Sequence, residues 1–519
     1  MTLVKPEIKY RLLAAFVFFE AVLVVTTYFH ESWRDEAQAW LLARDLSPLQ
    51  LWFMYLRYEG TPGLWHTLLL TPAHLGLPYW SMHVLSCLFA SGAAALVCWR
   101  SPFPQIVKIV LPFTYFFIYQ YAVVARSYTM FPFVIFLTAL LIPQARRRTY
   151  LFLFLLIVMA NISLHGTLAA AGILAAYLAD LWSGRNHISQ AEIRRHVIAG
   201  GIFVLTLIFL VIQLWPPADL TSVPLSAQEL RPKWTIVSTA IEQTADALSA
   251  CPPIIAHAGG SSLVGPARDS GVAAVLDLAF FCLGLLASCL VLMLTLEWFY
   301  KTGTILYFVL PAGSVLLLSS LILGKRWHSG IIFFIWLFAI WITANRTHQP
   351  APRSMWLVWI LVLAPHLFWS AKTIAYDINK PYSGSKAAAQ YLKTSGLKDR
   401  VIFAAGIEST SIQPYFTKNL FKNYHDGEKP AFWLWSTSND FPQFISSIPL
   451  SRPDVLLLSL RTEEQRSAIE QLVQTLPQSG YVLAGKFDGN PYWKSFILEP
   501  ESFLIICKRE LKPIIAEPK

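Results

Sequence analysis

Over residues 1–371 the chain repeats one pattern, a long apolar stretch closed by a short polar joint. A helix needs about 20 apolar residues to cross a bilayer, and fewer inside a bundle. On that measure the pattern predicts spans near 11–29, 80–99, 104–122, 127–143, 149–164, 166–183, 197–215, 271–299, 303–323, 329–345 and 354–371, about eleven in all. Two segments between spans are too polar and too rich in proline to cross. In residues 30–79, Asp35 to Leu46 and Leu49 to Tyr58 read as short interfacial helices, with Trp40, Trp52 and Tyr55 at headgroup level. Leu64 to Leu75 reads as a third interfacial or re-entrant piece. Residues 216–270, rich in Pro, Ser and Ala, read as an irregular loop that would serve as a lid.

From about Lys372 the periodicity shortens. Ser385 to Ser395 has helical spacing, and Arg400 to Ala405 and Val455 to Leu460 read as strands. An amphipathic helix from Glu463 to Leu476 follows, then strands from Tyr481 to Phe487 and Phe503 to Lys508. Strands alternating with helices predict a small α/β domain. The expected fold is therefore an α-helical polytopic membrane protein over 1–371 carrying an α/β domain over 372–519.

Composition agrees: 55% of the 519 residues are hydrophobic and only 14% are charged. Globular domains carry about 25% charged residues, so most of this chain does not face water. The net charge of +10 would suit nucleic acid were it pooled, but it sits in short clusters at span ends. Lys5, Lys9, Arg11, Arg100, Lys108, Arg146-Arg147-Arg148, Arg185, Arg194, Arg195, Lys301, Arg346 and Arg353 all fall on one side of the predicted spans. Basic residues in short loops mark the cytoplasmic side. An odd number of spans then puts the C-terminal domain outside the inner, or plasma, membrane. No small-residue cleavage site follows the first apolar run, which reads as a retained anchor. The six cysteines have neither metal spacing nor the density of a disulfide framework.

The side away from those basic loops collects candidate chemistry. Trp33-Arg34-Asp35-Glu36-Ala37 opens the first loop, and Tyr58-Glu59-Gly60-Thr61-Pro62-Gly63 lies later in it. Arg126 with Tyr128, then His165, then Lys325-Arg326 with His328, stand at the same ends of other spans. Ionisable groups at membrane depth are expensive and mark functional sites by default. A carboxylate can take the proton of an attacking hydroxyl, and Arg and Lys can hold a phosphate. Plainer readings stand beside each of these. Asp35 and Glu36 would favour the positive end of a helix, Arg126 and Lys325-Arg326 would anchor headgroups, and His165 would be a buried hydrogen-bonding ring. Glu59 would precede an ordinary Gly-Pro turn. His66 and His74 lack a third ligand at metal spacing, so no cofactor is expected, and a divalent metal stays open but unsupported.

With Arg34-Asp35-Glu36-Ala37, Tyr58-Glu59-Gly60-Thr61-Pro62, Ala125-Arg126-Ser127-Tyr128 and a terminal external domain, the chain resembles the GT-C superfamily of membrane glycosyltransferases. It is most similar to the branch of protein O-mannosyltransferases and the bacterial lipid A aminoarabinose transferase. That resemblance implies transfer of a sugar from a polyprenyl-phosphate carrier to a lipid, glycan or protein acceptor at the outer face. Asp35 would be the general base with Glu36 beside it, Glu59 would line the acceptor or sugar pocket, and Arg126, Lys325 and Arg326 would hold the carrier phosphate. Where the family has His or Lys before paired prolines, this chain has Thr61-Pro62-Gly63, so no basic role carries over there. His165 matches a cationic region of relatives by position alone. The competing class is a transporter or flippase of a glycolipid precursor, whose internal repeats this sequence does not display. A third reading is a non-catalytic scaffold for envelope glycans that works through its external domain.

Overall fold

The computed structural model describes residues 6–183, 189–220, 233–250, 271–347, 351–424, 430–436, 452–460, 480–494, 496–497 and 500–512. Among them, eight helices are long and apolar enough to cross a membrane, or nine if one bent pair counts as a single span. The chain is a membrane-embedded, polytopic helical protein carrying a small mixed sheet. The first helix, α1 (Pro6–Phe29), exposes Val17, Phe18, Val24 and Val25 on one face and buries Phe19 and Leu23 on the other. An apolar face left exposed in this way suits lipid. The span Arg326–Arg346 lies at the centre of the bundle, with 89% of its apolar window buried.

Two expected spans come out short. Thr149–Ala160 has only 12 residues, about 18 Å of helix, and Leu306–Ile322 also falls below span length. The first pairs with Leu164–Ser183 through the tight joint at Asn161 to Ser163. Where Leu164–Ser183 crosses Leu306–Leu318, the backbones nearly touch: a Cβ on Gly172 would lie 2.5 Å from Pro311. The expected span 104–122 is a pair of helices, Gln105–Phe113 and Tyr115–Val123, bent by 41°. Pro112 removes a backbone donor at the bend, and extended Thr114 turns the chain, its hydroxyl donating to Leu111 O at 2.7 Å.

The first loop holds helix α2 (Arg34–Asp45), then a broken run of short helical turns through Glu59, then the helix Leu64–His74. The predicted irregular loop 216–270 contains a 17-residue helix, Lys233–Ser249, packed against the central bundle. Its apolar positions are interrupted by Gln243 and Asp246, which are buried among polar groups and so blur the pattern. The last span runs to Asn379, so the boundary expected at Lys372 moves outward.

Beyond it, β1 (Ile402–Ala405), β2 (Val455–Leu460), β3 (Tyr481–Phe487) and β6 (Ser502–Lys508) form a sheet in the order β1-β2-β6-β3. The β1–β2 pair is parallel, and β6 runs antiparallel to both neighbours. The expected strands match these within a residue or two, whereas the expected helix Glu463–Leu476 lies outside the described residues. The hairpin of β4 (Tyr492–Trp493) and β5 (Phe496–Ile497) leaves the sheet and enters the bundle. Trp493 packs on Tyr115 with ring centroids 5.3 Å apart. Fully buried Lys494 pairs with Asp246 and lies over the Tyr115 ring at 5.3 Å. The hairpin thus ties the sheet domain to the helix Lys233–Ser249 and to the bent span.

Candidate active site

The break at the end of α1 puts His30, Ser32 and Trp33 in a short non-helical link, with Trp33 extended, before α2 begins. Successive residues of a helix point about 100° apart, and the first turn of α2 therefore sends Asp35 and Glu36 to different surroundings. Glu36 is fully buried. Its Oε2 accepts from Trp33 N at 3.1 Å and its Oε1 from Ala125 N at 2.7 Å. His30 stands 3.3 Å from Oε2 through Nε2, and its Nδ1 meets Asp377 at 2.8 Å. With a carboxylate on each ring nitrogen, His30 donates from both. Burial favours the neutral ring, but the Asp377 and Glu36 charges overcome it and hold His30 well above its ordinary value. Glu36 is correspondingly held below its usual range by His30, against the opposing effect of burial. Tyr119 also donates to Asp377, at 3.1 Å.

Asp35 faces the other way, and 23% of its side chain is exposed. Its Oδ2 lies 3.0 Å from Arg126 Nη1, and its Oδ1 lies 3.5 Å from Arg34 Nε. Arg126 Nη1 has no aligned hydrogen-bond acceptor among the described residues, so its contact with Asp35 is coulombic rather than directional. The Arg126 guanidinium sits over three rings, Trp327 at 5.0 Å, Tyr128 at 5.6 Å and Trp33 at 5.9 Å. Such rings hold a cation without neutralising it.

Glu59 comes into the same field from the end of the broken helical run, where Gly60 turns with φ +60°. Gln38 Nε2 donates to Glu59 Oε1 at 2.7 Å. Burial pushes the Glu59 carboxyl up to about 7, with the Asp35 charge adding to the rise and Arg126 and the Gln38 hydrogen bond opposing it. Two carboxylates and one guanidinium thus share a half-open cluster.

The sheet domain closes over this cluster. Arg34 Nη1 donates to Glu408 at 2.6 Å and Arg34 N to Glu501 at 3.2 Å. Burial pushes Glu501 up to about 7, against the lowering by Arg34 and by the Ser383 hydrogen bond. Gln38 exchanges two hydrogen bonds with the backbone of Trp433, at 2.7 and 2.9 Å. Ala431 N donates to Asp45 at 2.7 Å, and Phe432 packs among Leu41, Leu42, Leu51 and Leu56.

The other expected residues divide. Tyr128 joins the cluster through Arg126, and its hydroxyl is 2.9 Å from His328 Nε2. Lys325 N donates to His328 Nδ1 at 3.2 Å, so the neutral ring carries its proton on Nε2 and donates to Tyr128. His328 packs against fully buried His165 with centroids 3.7 Å apart and the rings tilted by 35°, and His165 Nε2 is 3.1 Å from Ser319 Oγ. His328 also meets the Trp327 ring edge-on, with centroids 6.0 Å apart. Lys325 is exposed. The Arg326 charge acts on Glu242 and Asp246 of the helix Lys233–Ser249. Glu36, expected beside the base, is sealed into the His30 network.

His30, Asp377, Gln38 and Trp327 are functional positions that the sequence does not single out. The signals were a His immediately after an apolar run and a lone acid at the end of the last one. No group of three metal-ligating side chains occurs among the described residues. In comparisons with known proteins, no family model and no curated protein matches the chain.

Proposed function

We propose that this protein is a membrane glycosyltransferase that moves a sugar from a polyprenyl-phosphate carrier to an acceptor at the outer face, with the Asp35 cluster as its active site. The N-terminus and the basic loops then lie in the cytoplasm and the sheet domain outside. The observation that carries the reading is the ion pair of partly exposed Asp35 with ring-caged Arg126, 3.0 Å apart at the end of an apolar helix. A lipid carrier keeps its chain in the bilayer and its phosphosugar at the interface, which is the depth of this pair. In the reaction, the acceptor oxygen bonds to the anomeric carbon while the bond from that carbon to the phosphate oxygen breaks. The electron pair leaves with the polyprenyl phosphate, and the acceptor proton passes to Asp35. Arg126 receives the charge that develops on the phosphate, already oriented by its three rings. One base and direct displacement give inversion at the sugar carbon; retention would require a carboxylate to bond to the sugar.

Glu36 acts one step back, fixing the start of α2 so that Asp35 faces Arg126. Glu59 lines the acceptor side. The test is turnover of a polyprenyl-phosphate sugar by purified protein and by Asp35→Asn. Equal turnover in both removes the assignment of the base. If neither consumes the donor but labelled glycolipid crosses proteoliposomes, the transporter reading replaces this one.

A further inference from the structure

A cavity of about 310 Å³ opens at the face opposite Asp35, where four helices converge. Leu181 and Ile342 form part of an apolar wall, while Arg146, Arg346 and Asp180 stand among its polar groups. Both guanidiniums are held in place. Arg346 pairs with Asp180, donates to Gly303 O at 3.1 Å, and lies over the Tyr307 ring at 6.0 Å. Arg146 pairs with Glu192 at 3.3 Å. Tyr307 donates to Asp180 at 3.3 Å, which fixes the carboxylate that orients Arg346.

The depth of the cavity is marked independently. Tyr150, Trp182 and Tyr300, at the same ends of neighbouring helices, are exposed to 51, 70 and 75%. Exposed Trp and Tyr at the ends of apolar helices mark the level of lipid headgroups. Arg147, Arg148 and Arg194 are exposed on the same face and make it electropositive.

We propose that this cavity binds the phosphodiester headgroup of an anionic phospholipid from the leaflet on that face. A basic pocket between membrane helices suits such a headgroup. Guanidinium forks match the phosphate oxygens, and the apolar wall receives the start of the acyl chains. That wall would be wasted on a soluble anion, and a choline headgroup would set a cation beside two arginines. The bound lipid clips the short helix Leu306–Leu318 and the span Leu164–Ser183 to the central span Arg326–Arg346.

The test uses the full chain in detergent, titrated with phosphatidylglycerol, phosphatidylcholine or inorganic phosphate and read by native mass spectrometry. One phosphatidylglycerol is expected to be retained at least tenfold more strongly than phosphatidylcholine. The double variant Arg146→Ala/Arg346→Ala is expected to lose that preference. Arg194→Ala, basic on the same face but outside the cavity, is expected to keep it. Leu181→Trp, which fills the apolar wall and leaves both arginines, serves if the double variant does not fold; it is expected to lose the lipid. Equal retention of the two lipids, equal loss in Arg194→Ala, or retention in Leu181→Trp overturns the proposal. Displacement of the lipid by millimolar inorganic phosphate also overturns it, by reassigning the cavity to a soluble anion.

Discussion

Asp35 and Glu36 leave the same turn of α2, yet one enters a half-open cluster with Arg126 and the other a sealed network with His30 and Asp377. In the sealed network both Glu36 oxygens accept backbone hydrogen bonds, and His30 answers two carboxylates. Such groups cannot exchange partners without leaving a charge unpaired in a water-poor interior. In the half-open cluster the Arg126 contact is coulombic, the rings around it carry no formal charge, and Glu59 titrates near neutrality. A substrate phosphate can take Arg126 without stranding Asp35 in a dry interior. Chemistry therefore belongs to the looser cluster, and the tighter one holds its geometry.

Five substitutions bear on that contrast. The largest effect is expected from Asp35→Asn, which keeps the shape and removes the base. Turnover should fall about a thousandfold, or ~4 kcal/mol of barrier, with little change in melting temperature, as for any partly exposed ion pair. A fall in melting temperature matching that of a Glu36 variant would erase the distinction between the clusters.

Glu36→Ala should behave in the opposite way. It leaves His30 with one carboxylate and two backbone donors with none, so stability should drop by about 3 kcal/mol in thermal unfolding. The pH dependence carries the same signature. His30 is raised in the fold, so its contribution is complete below its unfolded value and is lost as pH rises through about 10. Glu36 is lowered, so its contribution is present above its unfolded value and is lost as pH falls through its folded one. Melting temperature should therefore be highest between the two unfolded values, 4.5 and 6.5, and decline on both sides. Replacing His30 with Gln should remove the alkaline decline.

Arg126→Lys keeps the charge and loses the fork. It should raise the KM for the carrier about tenfold, the scale of one charge-assisted hydrogen bond, with a smaller change in kcat. An unchanged KM would detach Arg126 from the phosphate. The smallest effect concerns Glu59, neutral below about 7 and anionic above. As pH rises through that value, Glu59 begins to compete with the carrier phosphate for Arg126. The carrier KM should climb a few-fold, and in Glu59→Gln it should stay flat.

Much of the architecture is legible in the sequence because apolar length and strand alternation are local. Val455–Leu460 and Tyr481–Phe487 fall where their alternation predicts, and helices occupy all eleven expected positions, although two are shorter than a span. The helix Lys233–Ser249 was missed because its buried face carries Gln243 and Asp246, whose partners come from other elements. The place of Arg326 at a span end predicts a phosphate ligand, and its charge also acts on two acids that no local pattern connects to it.

The sequence by itself determined that most charged residues would fall at the ends of the apolar helices, because charge within so apolar a stretch costs too much. It also determined that short strands would follow the last apolar helix. Only the tertiary structure decided which of two adjacent carboxylates is sealed and which is open. That choice depends on what packs against each face of α2: Ala125 and His30 on one, Arg126 and the half-open mouth on the other. Neighbours in a chain share a composition, whereas their surroundings are set by residues as far as 347 positions away, as Asp377 is from His30.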